Sequence, residues 1–122
     1  MKKGEIELFS KIYAQLEALH NEISLLSKKS PSDAVNKFKL KLINSVLTTT
    51  NEILGQKNKP FENFSVFDED DLPNNSDVNM ILSQYLSCME ELRVPNIQRY
   101  GDHWYWKIDG TRSEIMTFSP RK

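Results

Sequence analysis

The chain reads as a mainly helical α+β protein, an elongated three-helix bundle with a long aromatic and acidic loop and a C-terminal β-hairpin. Three observations predict it. Helix-period apolar spacing runs through residues 4–54 and breaks at Ser30-Pro31-Ser32-Asp33. A second periodic segment covers 76–93, and the remainder switches to aromatic alternation around Asp109-Gly110.

The first helix is expected over 4–29, where Phe9, Ile12, Leu16, Leu19, Ile23 and Leu26 form an a/d seam. Lys28 and Lys29 suit its negative C-terminal end. The second is expected over 31–54. Ser30 can cap free amides there, Pro31 has the φ of a first turn, and Asp33 favours the positive end of the dipole. One stripe runs through Val35, Phe38, Leu42, Val46 and Ile53, and another through Leu40, Ile43, Leu47 and Leu54. Two stripes imply two buried faces, hence a central helix with partners on both flanks. Gly55 is its natural stop. A third helix over 76–93 presents Val78, Ile81, Leu82, Tyr85, Leu86, Met89 and Leu92, with Ser76 or Asn75 as cap and Pro95 beyond its end.

The connection over 56–75 is too long for a turn. Its Phe61, Phe64, Val66, Phe67 and Leu72 predict order, because disordered linkers are poor in aromatics. In the hairpin region, 97–118, Trp104 to Ile108 and Ile115 to Phe118 read as two strands about the Asp109-Gly110 turn, and Ile97 with Tyr100 offers an earlier strand. Alternation assigns Trp104, Trp106 and Ile108 to one face and Tyr105 and Lys107 to the other. A lone hairpin is marginal in water, so it must dock on the helices, on another chain, or on both.

A chain of 122 residues fits one domain, 1–122. Charge is distributed unevenly: residues 1–55 carry eight basic and six acidic side chains, 56–92 two and eight, and 93–122 six and three. Early glutamates deny the N-terminus the apolar core of a signal peptide, and no apolar run approaches bilayer length. Cys88 is the sole cysteine, so an intrachain disulfide is excluded and a reducing cytoplasm is the expected compartment. Twelve lysines against four arginines, with abundant asparagine, suit an AT-rich bacterial gene.

Chemistry is poorly represented. The acidic run Asp68-Glu69-Asp70-Asp71 lacks the turn glycine and distal glutamate of an EF-hand, so it reads as a solvated loop and not a metal site. Four glycines in the whole chain provide no phosphate-cradling loop. His20 and His103 are the only histidines; Asp102 adjoins His103, but no nucleophile is marked out beside them. Cys88, next to Met89, reads as a buried structural thiol. No catalytic, cofactor-binding or metal-binding residues are therefore assigned, and the chain is not read as an enzyme.

What remains is binding. The sequence is read as a non-catalytic protein-binding module: a small accessory subunit, antitoxin or immunity-type protein acting by surface complementarity. Its expected contacts are Phe67, Asp68, Glu69, Asp70 and Asp71 in the loop, facing a basic partner, with Tyr105, Lys107 and Arg112 in the hairpin. Two alternatives stand beside it. Hairpin aromatics with Arg99, Lys107, Arg112, Arg121 and Lys122 suit single-stranded nucleic acid, and the seam of the first helix suits a homodimer.

Overall fold

The computed structural model describes residues 1–121. Its elements are α1 (Lys3–Lys29), α2 (Lys37–Asn58), α3 (Asn75–Arg93), a 3₁₀ turn (Val94–Asn96), β1 (Ile97–Tyr100), β2 (His103–Ile108) and β3 (Thr111–Thr117). The strands form one antiparallel sheet in the order β1-β2-β3. The C-terminal unit is therefore three strands and not a hairpin. Buried Ile97 anchors the added strand by pairing with Trp106.

The seam of α1 is closed by its own chain. Phe9, Ile12, Leu16 and Ile23 are buried with Ile6 and Tyr13, and Leu19 and Leu26 pack against the same core. Each fully buried leucine or isoleucine in that core contributes roughly 1.5–3 kcal/mol relative to an exposed one. The partner with which α1 shares most contact is α3. The expectation of a central second helix does not hold.

The reason lies in α2. Leu40, Ile43, Leu47 and Leu54 are buried as one stripe, but on the other Phe38 is 72% and Leu42 47% exposed, with Val46 and Ile53 half-buried. The helix also begins at Lys37, not at residue 31. Ser30 ends α1, its N–H donating to the Leu26 carbonyl at 2.8 Å. The true cap of α2 is Asn36, whose Oδ1 accepts the Lys39 N–H at 2.8 Å. Residues 31–36 are instead a link held from afar. Val35 N–H donates to Pro73 O at 2.9 Å, Asn75 N–H to Asp33 O at 2.9 Å, and Ser76 N–H to Pro31 O at 3.1 Å. At its other end the backbone leaves the helix at Gly55, with φ 71° and ψ 173°, before a last turn to Asn58.

The connection that follows is pinned to α2 by Asn44, whose amide accepts the Phe67 N–H and donates to the Phe67 carbonyl, both at 2.9 Å. Phe64 lies edge-on to Phe67 with centroids 4.9 Å apart and reaches Tyr85 at 6.4 Å. Phe61 stays exposed. Asn74, one residue earlier than expected, caps α3 through its Oδ1 and the Asp77 N–H at 2.8 Å.

The sheet docks on α1 through Trp106, 2% exposed, whose ring meets Phe9 edge-on at 5.2 Å. Asp109 (φ 52°) and Gly110 (φ 77°) turn the chain between β2 and β3, both in the left-handed region that a tight type I′ turn requires. A bulge interrupts the β2–β3 register between Tyr105 and Lys107. Ser113 secures it, its hydroxyl donating to Trp106 O at 2.7 Å and accepting the Ile115 N–H at 3.1 Å. No helix among the described residues is long and apolar enough to cross a membrane.

Candidate functional site

The residues expected to make contacts fall on two separate surfaces. The acidic run immediately precedes α3 and the sheet immediately follows it. With 19 residues in that helix, the two surfaces stand about 28 Å apart along its axis. They do not form one continuous patch.

In the acidic run Asp68, Asp70 and Asp71 are exposed, while Phe67 is half-buried against Phe64. Part of the charge is used internally. Asp68 Oδ1 accepts the Asp70 N–H at 2.9 Å, Glu69 accepts from Asn44 at 3.4 Å, and Asp70 lies 3.9 Å from the Lys37 ammonium. The surface is thus a braced acidic turn.

On the sheet, the three expected residues do meet. The pairing sets Lys107 opposite Arg112, and the Arg112 guanidinium carbon lies 4.2 Å from the centroid of Tyr100 and 5.2 Å from that of Tyr105. Met116, 55% exposed, pairs with Tyr105, and Tyr100 is 62% exposed. The solvent face of the sheet therefore carries two tyrosines, a guanidinium, an ammonium and a thioether drawn from all three strands. Neither Arg112 nor Lys107 has a carboxylate partner among the described residues. Tyr100 is the member that sequence reasoning left out of the contact set. Its signal was the Gly101-Asp102 turn, which pairs Tyr100 with His103 and so aligns it with Tyr105.

Sequence reasoning also missed Arg93, which is wholly buried. Its Nε and Nη2 donate to the two oxygens of Glu90 at 2.7 and 2.8 Å. Nη1 donates to Thr117 Oγ1 at 3.1 Å and Phe118 O at 2.8 Å, and Nη2 also to Ser119 O at 2.9 Å. Every donor is satisfied, so this is a clasp between α3 and the C-terminal segment. Burial alone would raise the Glu90 carboxyl; bonds from Arg93, the Arg121 N–H and Tyr13 outweigh it and hold the group below its ordinary value. Burial and the adjoining Glu90 charge push the Tyr13 phenol up to about 12.

The remaining reactive groups among the described residues lie apart or are directed to other partners. Ser24 lies 3.4 Å from His20 Nε2, but its hydroxyl donates to Asn79 Oδ1 at 2.6 Å. A serine proton so directed is not available to an imidazole base, and burial lowers the His20 pKa. Burial, then Glu91, raises the Cys88 thiol, which opposes thiolate reactivity. His103 is exposed at the start of β2. Among the described residues no three His, Cys, Asp or Glu side chains are grouped to hold a metal ion. No family model matches the chain, and no curated protein or solved structure does either.

Proposed function

We propose that the chain is a non-catalytic protein-binding module whose anchor is the solvent face of the sheet. The observation behind this reading is the cluster of Tyr100, Tyr105, Lys107, Arg112 and Met116. Interfaces are enriched in tyrosine, methionine and arginine, and binding energy concentrates in such anchors. The core already seats the opposite face of the sheet, so these side chains contribute little to the fold. Their positive charge suits a partner whose contact region carries carboxylates around an apolar centre. The acidic turn at the other end of α3 serves orientation and association rate toward a basic region. An accessory subunit, antitoxin or immunity-type protein of the bacterial cytoplasm is the setting proposed, in keeping with one cysteine and no assembled chemistry.

Single-stranded nucleic acid is the second reading, favoured by the same tyrosines and cations. The geometry weighs against it, because the guanidinium already covers the ring faces on which bases would stack. Self-association through α1 is not proposed, since its seam is closed within the chain.

The test compares tagged wild type, Arg112→Glu and the double variant Asp68→Lys/Asp70→Lys, purified from native cells after circular dichroism confirms the fold of each. One stoichiometric protein is expected with wild type and with the loop variant, and its loss with Arg112→Glu. Recovery of the bait alone, or of a nuclease-sensitive species, would overturn the reading.

A further inference from the structure

A prominent cavity of the molecule lies away from the solvent face of the sheet. It is an open groove of about 640 Å³ between α1, the C-terminal half of α3 and the segment after β3, with Tyr13, Glu17, Glu90, Glu91 and Val94 on its walls and Arg121 over it. The chain's own C-terminal segment enters it. Arg93 holds the Phe118 and Ser119 carbonyls, and the Arg121 N–H then donates to Glu90 Oε2 at 2.6 Å. Beyond that point the Arg121 guanidinium pairs with Glu17, stacks 4.0 Å from the centroid of Phe118 and lies 5.5 Å from that of Tyr13.

A carboxylate with two aromatic rings is the environment that recognises a guanidinium. Planar, weakly hydrated arginine stacks on rings while its fork meets oxygen, which a lysine ammonium cannot reproduce. The volume falls in the range of about 300–1,000 Å³ typical of ligand sites and exceeds what one side chain fills. Charge points the same way. Three carboxylates line the groove; Glu90 is committed to Arg93, and among the described residues Glu17 pairs with Arg121 while exposed Glu91 has no ion pair.

We infer that this groove binds an arginine side chain within an extended basic segment of a partner protein, and that Arg121 occupies the site in cis as a built-in competitor. An incoming arginine displaces the Arg121 guanidinium from Glu17 and the face of Phe118, and a basic neighbour in the segment meets Glu91. A tethered competitor acts at millimolar effective concentration. The apparent affinity of a free segment is reduced by the fraction of molecules in which the tether is seated. The site is independent of the solvent face of the sheet.

The test uses the full chain and a fluorescein-labelled pentapeptide amide, Gly-Ser-Pro-Arg-Lys, with a version carrying citrulline in place of arginine as neutral control. Binding is read by fluorescence anisotropy. Arg121→Ala is expected to bind the arginine peptide at least about tenfold more tightly than wild type. Citrulline, or Glu17→Gln added to Arg121→Ala, is expected to abolish the gain. Arg112→Glu is expected to leave this binding unchanged, so failure here is separable from failure of the sheet as an anchor. The inference is overturned if Arg121→Ala binds no better than wild type, or if the citrulline peptide binds equally well. Arg121 is solvent-exposed, and thermal melting of each variant verifies that the fold is kept.

Discussion

Replacing Arg93 with methionine keeps most of the buried stem and deletes the guanidinium, with its five hydrogen bonds to Glu90, Thr117, Phe118 and Ser119. Breaking a buried ion pair by removing one member costs about 3–5 kcal/mol, because the other charge stays behind. Here Glu90 keeps the Tyr13 hydroxyl and the Arg121 N–H, and its side chain is 13% exposed, so part of the penalty is relieved. The lower end, about 3 kcal/mol, is expected. For a chain of this size that lowers Tm by about 10 °C. Urea unfolding followed by circular dichroism and tryptophan fluorescence measures it, and hydrogen exchange should show the segment after β3 opening first. Adding Glu90→Gln removes the stranded charge and should restore about 1 kcal/mol, a coupling visible in a double-mutant cycle. If Arg93→Met lies within about 1 kcal/mol of wild type, the clasp does not hold the C-terminal segment and the reasoning fails.

Other consequences follow from the same packing. Trp106→Ala should cost about 3–5 kcal/mol in chemical denaturation, since a ring 2% exposed against Phe9 is lost; a cost below about 1 kcal/mol would mean that the sheet is not seated on α1. Phe38→Ser should change stability by no more than about 0.5 kcal/mol, because that ring is 72% exposed; a large loss would show the second stripe of α2 to be buried after all. Asn44→Ala leaves both backbone groups of Phe67 without partners and should cost about 1–3 kcal/mol, with faster amide exchange around Phe67. Acid should destabilise in two stages. The His20 pKa lies below 6.5 in the fold, so the stability gained from its neutral form is full above 6.5 and is lost as pH falls through the folded value. Glu90, held below 4.5, acts likewise at lower pH. Melting curves should show His20→Gln abolishing the first stage alone, and a Tm that rises on acidification would contradict both assignments.

The parts of this fold legible in the sequence are those set by local pattern. The seam of α1 announces itself because its burial recurs at helical spacing, and Asp109-Gly110 announces a turn because few residue pairs accept two positive φ values. The start of α2 is misread for a physical reason. Ser30 and Pro31 suit a helix start, but the link they begin is held by hydrogen bonds to residues 38 to 45 positions away. No local spacing encodes those bonds. Phe38 and Leu42 lie at helical spacing that matches a buried stripe, yet nothing among the described residues covers them. Tyr105, Lys107 and Arg112 could be named from alternation and turn chemistry, whereas Tyr100 joins them only through the β1–β2 register. Arg93 was hidden because arginine is normally exposed. Its one local sign is Glu90 three residues earlier, and its other partners are 24 to 26 residues away.

The proposal that the solvent face of the sheet meets a protein can be examined in living cells. It is tested most directly by placing a photo-crosslinking phenylalanine analogue at Met116, and at exposed Gln84 on α3 as control, and irradiating living cells. One discrete protein adduct is expected at position 116, resistant to nuclease, absent at position 84 and lost when Arg112→Glu is added. No adduct above the control, or one that nuclease removes, would contradict it.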